Sequence, residues 1–318
     1  MTTPNRSAII SKVYKVLKKH YKPTAPPERP ALEHLIYACL LENARPDAAD
    51  EAFAKLKELY FDWNEIRVTT VTELAEGMNG IPDPSAAAQR VKRSLQSIFE
   101  GGYSFDIDAL KKQNIGKAEK DLEKVNGTTP FVRAYVTQNA LGGHSIPISK
   151  GAIDMLHAVG VISDSEADKG IVPGLERAIP KNKGIEFGSL LQQLAADLVA
   201  SPGSSKVKSV LSEIDANFKD RLAARQARLE AQAVADAAAA KAARDKARAD
   251  ARAAAAEAAK PKSRQATKAP DKAAAADAAK KAREKELAKS KPSPPTKNRG
   301  EDEARRSAAK GLVKKKPR

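Results

Sequence analysis

Cysteine is nearly absent from this chain: one residue, Cys39, in 318. A lone cysteine excludes an intramolecular disulfide and any multi-cysteine zinc or iron–sulfur site built by this chain alone. Cys39 lies in LEHLIYACLLEN, where an apolar helix expects a buried thiol. Long apolar runs are missing as well. Nowhere do eighteen apolar residues follow one another, and MTTPNRSAIISKVYKVLKKH has no continuous apolar stretch of the kind that directs secretion. The expectation is a soluble, cytoplasmic protein with no membrane partner. Aromatic residues end early, since all seven Phe, six Tyr and the single Trp lie at or before Phe218. A segment without large apolar side chains cannot offset the entropy of ordering by burial, so the core belongs to the first two thirds of the chain. Excess charge is missing from that same part. From Arg221 to the end there are 28 Lys and Arg against 12 Asp and Glu, whereas the first 220 residues hold 28 of each, so the whole net charge of +16 falls on the tail.

What is present reads as helix throughout. Ile9, Ile10, Val13, Val16 and Leu17 recur at helical spacing after a start at Pro4 to Ser7, with lysines on the other side. Four prolines between Lys22 and Pro30 break the pattern. Residues 31–42 are apolar on most faces and predict a central helix. Further helices are expected from Pro46 to about Tyr60, after Thr70 with Glu73 as its capping-box partner, and over Ser85 to Phe99. Others are expected over Asp106 to Lys112, Ile115 to Val125, Phe131 to Ala140, Ala152 to Val159 and Ile185 to Ala200. Alternation at period two never persists beyond the short run Ile146 to Ile148, so the predicted class is all-α. The expected organisation is a basic helix and Pro-rich linker over residues 1–30 and a two-lobed helical domain over 31–217. A low-complexity tail follows, with an Ala/Arg-rich helix over 218–260 and a disordered basic segment over 261–318.

Leu122 to Ser149, LEKVNGTTPFVRAYVTQNALGGHSIPIS, reads as a helix end, a tight turn at Val125-Asn126-Gly127 and a helix opening at Thr128-Thr129-Pro130. Such a helix-hairpin-helix can aim backbone N–H groups at a phosphate. Asn126 and Gly127 are both residues that tolerate positive φ, Thr128 and Thr129 bring hydroxyls, and Lys124 adds charge. His20, His34, His144 and His157 show no metal-ligand spacing, and no Gly-rich nucleotide loop appears, so no cofactor is expected.

Over residues 30–200 these landmarks resemble the helix-hairpin-helix DNA glycosylase superfamily, and within it the endonuclease III branch. ALEHLIYACLLENARPD is similar to the family's early buried helix and the loop after it. YFDWNEIRVTTVTELAEGM, DALKKQNIGKAEKDLEKVNGTTPFV and GGHSIPISKGAIDML follow in the family's order. The resemblance implies DNA as partner and base-excision chemistry, and it locates where that chemistry would sit. The family's hairpin lysine falls on Thr128, which cannot form a Schiff base. The family's acid falls on Ser149, uncharged and a poor base without a partner. The nearest substitute acid is Asp154. The four-cysteine iron–sulfur loop has no counterpart, and Asn43-Ala44-Arg45 stand where a glutamine usually fills the space of an extruded base. Asn43 and Arg45 remain as wedge candidates.

Leu222 to Lys260 is mostly Ala, Arg, Lys and Asp without Gly or Pro, which favours helix, and the segment to LVKKKPR resembles linker-histone-like tails. Lys314, Lys315 and Lys316 close it. Dispersed cations on such a chain release counterions from phosphate and give salt-sensitive, largely sequence-independent affinity. The leading expectation is a non-catalytic DNA-binding protein of degenerate endonuclease III-like fold, acting in DNA maintenance or at the nucleoid. The alternatives are a divergent monofunctional glycosylase, without lyase activity, and a protein-interaction module with an electrostatic tail.

Overall fold

The structure is a computed structural model that describes residues 5–258, all of them helix, turn or loop with no strand. The expectations for residues 261–318, Lys314 to Lys316 included, lie outside the described residues. No helix among the described residues is long and apolar enough to cross a membrane.

α1 (Arg6–His20) begins at Asn5, whose side chain accepts from the Ser7 amide at 3.2 Å, and buries Ile10, Val13, Val16 and Leu17. After the proline break come α2 (Ala31–Leu41), α3 (Pro46–Leu59), α4 (Trp63–Val68), α5 (Val71–Glu76) and α6 (Pro84–Gly102). A 3-10 turn (Asp108–Lys112), α7 (Ile115–Glu123) and α8 (Pro130–Asn139) complete the first lobe. α2 is its axis. Ten of its eleven residues are buried, because an apolar sequence on every face has to be surrounded, and α3, α6 and α8 pack against it. Burial lifts the Cys39 thiol to about 12, so it stays protonated and inert. Asp83 caps α6 by accepting from the Ala86 amide at 2.9 Å, and the helix ends only at Tyr103, in the left-handed region at φ 51°. That is a turn beyond the Phe99 expected from periodicity.

The second lobe holds α9 (Lys150–Ala158), α10 (Asp164–Lys169), α11 (Leu175–Ala178), α12 (Lys181–Ala200) and α13 (Ser205–Ile214). It also takes the first turns of α14 (Phe218–Ala258). α1 belongs here too, its apolar stripe sharing a core with Leu156, Phe187, Leu194 and Val210. α1, expected as part of a separate segment over 1–30, supplies a wall of the second core. The boundary expected at 217 also moves. Phe218 is 2% exposed and Arg225 4%, and the compact unit runs Met1–Arg244, with Asp245–Arg318 as a second unit. Charge divides at the same point: 33 basic and 30 acidic residues before Asp245, 23 and 10 from it onward.

Thr70 caps α5, accepting from the Glu73 amide at 3.2 Å, but the reciprocal arm of the expected capping box is not made there. The complete box forms at Ser163 and Glu166, where Arg6 holds the glutamate with both carboxylate oxygens at 2.8 Å.

Candidate nucleic-acid interface

The hairpin forms where expected, between α7 and α8, and its side chains are used differently from the expectation. Gly127 takes φ +95°, whereas Asn126 does not enter the left-handed region. An added Cβ at Gly127 would lie 2.8 Å from the Arg90 carbonyl oxygen and 2.9 Å from the Ser94 amide nitrogen. The glycine is needed so that the turn can press on α6. The exposed Asn126 donates its amide to Ser97 Oγ at 3.0 Å. Thr128 Oγ1 donates to the Val125 carbonyl at 2.8 Å, beside that of Leu122 at 3.2 Å, closing the end of α7. Thr129 caps α8, accepting from the Val132 amide at 3.2 Å. Lys124 is exposed and pairs with Asp121 at 2.7 Å, and that contact holds the Asp121 carboxyl below its usual range.

Asn126 and Gly127 open onto a groove shared with Gln89, Lys92, Arg93 and Gln96 of α6. The three cations in the middle of α6, Arg90, Lys92 and Arg93, have separate jobs. Arg90 is drawn inward, donating to the Cys39 carbonyl at 2.9 Å and pairing with Glu42 at 3.3 Å. Lys92 donates to the Arg67 and Thr69 carbonyls at 2.7 and 2.6 Å, holding the end of α4. Arg93 alone is exposed, beside the hairpin tip.

A second opening lies between the start of α8, the start of α9 and α14. Glu42, Pro130, Phe131, Ile148, Lys150 and Arg225 are among its walls, while Thr128, Ser149 and Asp154 are not. Ser149 is 1% exposed and serves as the N-cap of α9. Asp154 Oδ1 accepts from Arg225 Nε at 2.5 Å, so the substitute acid is engaged in a structural ion pair. Lys150 is an exposed amine. Glu42, unremarked in the sequence, is one of three carboxylates on this opening, with Asp168 and Asp236. It is half-enclosed, accepts from Thr129 Oγ1 at 3.0 Å, and its carboxyl is pushed above the usual range by burial against the opposing pull of Arg90 and Thr129. Among the described residues, neither Thr128 Oγ1 nor Ser149 Oγ hydrogen-bonds to a carboxylate or an imidazole that could activate it.

Asn43 and Arg45, the wedge candidates, are both engaged with the second lobe. Asn43, at φ 63°, accepts the Gly151 amide at 3.3 Å. Arg45 binds Asp197 at 3.0 Å, which also receives the Tyr21 hydroxyl at 2.9 Å. Gln192 donates to the Leu41 and Ala44 carbonyls at 2.8 and 3.1 Å. The α2–α3 corner thus fastens one lobe to the other.

No family model matches the chain, and no curated protein matches it. Among solved structures, a thermostable thymine-DNA glycosylase is similar at 15% identity and TM-score 0.47, with 68% of this chain and 97% of that chain covered. A trapped endonuclease III–DNA covalent intermediate is similar at 15% identity and TM-score 0.45, covering 59% and 85%. The 3-methyladenine DNA glycosylase of H. pylori, bound to 1,N6-ethenoadenine, is similar at 15% identity and TM-score 0.39, covering 70% and 98%. Similarity at this level assigns no activity to the chain.

Proposed function

We propose that the protein binds DNA without cleaving it, its basic C-terminal segment supplying most of the affinity and the hairpin groove with Arg93 a smaller part. The observation that carries this reading is the partition of charge. Of the net +16, Met1–Arg244 holds +3 and the residues from Asp245 onward hold +13, a distribution suited to neutralising phosphates without reading bases. Non-cleavage is supported by Thr128 and Ser149, both spent on helix capping. DNA maintenance or nucleoid organisation is the setting proposed for this activity.

The test is duplex binding followed by fluorescence anisotropy at 50–200 mM salt, with the full chain and a chain ending at Arg244. The full chain is expected to show a log–log salt slope of about −4 or steeper, and the shortened chain a slope near −1. Equal affinity and slope for the two would refute the tail's role. Arg93→Ala is expected to weaken what binding the shortened chain retains.

A monofunctional glycosylase is the second reading, favoured by one observation: Glu42, a carboxylate held above its usual pKa, borders the opening with Lys150. Single-turnover incubation with duplexes carrying oxidised, alkylated or abasic sites separates the readings. Binding alone predicts no base release and no borohydride-trapped adduct at Lys124 or Lys150. Release that vanishes in Glu42→Gln would establish the enzyme.

A further inference from the structure

We propose that α14 is a lid over the opening that Glu42 and Lys150 border, with Asp236 as the latch that meets Lys150 and Lys169 when the lid closes. The proposal concerns access to that opening, and it holds whether or not the chain binds DNA. Arg225, Leu229, Gln232, Ala233 and Asp236 of α14 border the opening, and steps of four, three, one and three residues put them on one helix face. That face runs beside the opening for about 16 Å. The base of the helix is fastened. Arg221 donates to the Ala158 carbonyl at 2.8 Å, and Arg225 and Arg228 pair with Asp154, Asp164 and Asp168. Past Arg228 the fastening stops. Leu229 is half-buried and every residue from Glu230 to Arg252 is exposed, while the last ion pair of α14 among the described residues is that of Arg228 with Asp168.

A helix beside a space of about 500 Å³, with nothing packed behind it, has room to swing about its base. Its alanine-rich shaft favours helix, so it moves as one piece. Charge supplies the direction. The helical domain presents the exposed amines of Lys150 and Lys169 to the opening, and α14 presents the exposed carboxylate of Asp236. Opposite charges across such a gap attract, and among the described residues none of the three is already in an ion pair. Two other carboxylates on the opening oppose the approach of Asp236, but both are neutralised by cations. Glu42 is paired with Arg90 and accepts from Thr129, and Asp168 is paired with Arg225 and Arg228. Closure therefore brings Asp236 to the two lysines and narrows the way in to Glu42. A pair between exposed side chains is weak and screened by salt, which suits a lid that opens reversibly.

The test is thiol labelling of the full chain. Pro130 is exposed at the first position of α8 and lies on the wall of the opening, so Pro130→Cys places a reporter there, while the buried Cys39 stays protonated and silent. Thr72→Cys, at an exposed position of α5, is the control. Each is labelled with iodoacetamide and with a bulky polyethylene-glycol maleimide, and the ratio of the bulky rate to the small rate is the readout. Asp236→Lys, which turns the latch into a repulsion, is expected to raise that ratio at position 130 by about fivefold and leave it unchanged at position 72. Ala231→Pro, at an exposed position past the anchoring arginines, breaks the shaft and is expected to raise it at least as much. High salt is expected to raise the ratio in the chain that keeps Asp236 and to do little in Asp236→Lys. A ratio at position 130 that neither substitution changes, or one that rises equally at position 72, would overturn the lid.

Discussion

Arg225→Ala is expected to lower folding stability by about 2–4 kcal/mol in urea or thermal denaturation. Among the described residues, Arg225 is the one Lys, Arg, Asp or Glu that is buried. It donates to Asp154 at 2.5 Å and to Asp168 at 3.3 Å, tying α14 to α9 and α10. Removal strands Asp154, whose side chain is 21% exposed, without its counter-charge, and that desolvated carboxylate dominates the expected loss. The outer bridges, Arg228 with Asp164 and Asp168, involve side chains 37–63% exposed, and pairs so wet add under about 1 kcal/mol each. The double variant Arg225→Met, Asp154→Leu is therefore expected to recover much of the loss, while Arg228→Ala costs little. A change below about 0.5 kcal/mol for Arg225→Ala would show that α14 is not held by this contact.

Gly127→Val is expected to cost about 3 kcal/mol or more, combining backbone strain with a clash. A side chain at φ +95° is strained in any surroundings. Here it would also fall within 2.9 Å of two backbone atoms of α6, which cannot step aside as a flexible side chain would. Gly142 separates the two causes. Its φ is +66° but nothing lies within 4 Å of an added Cβ, so Gly142→Ala is expected to cost only about 1 kcal/mol. Equal losses at the two positions, measured by denaturation, would mean that the hairpin does not rest on α6.

Local features of the chain were legible because they depend on neighbours in sequence. α8 spans Pro130–Asn139 where spacing predicts 131–140, and α5 starts at the Thr70 cap. Partnerships across the chain were not. Nothing in RSAIISKVYKVLKKH says that its stripe packs with α12 and α13, since any amphipathic helix fits any apolar surface of suitable shape. Glu42 was overlooked because an acid just past a helix end is an ordinary solvated residue until Arg90 and Thr129 close over it. Arg225 looked like every other arginine of an Ala/Arg-rich run.

By itself, then, the amino-acid sequence determined the helical class, the hairpin, and the gathering of positive charge toward the C-terminus. Each is a matter of side-chain identity or short-range periodicity. Tertiary structure alone decided that α1 completes the second core, that Asn43 and Arg45 fasten the lobes, and that Asp154 is held by Arg225. Those outcomes depend on which groups lose their water against each other, and desolvation is set by contacts between residues as many as 202 positions apart.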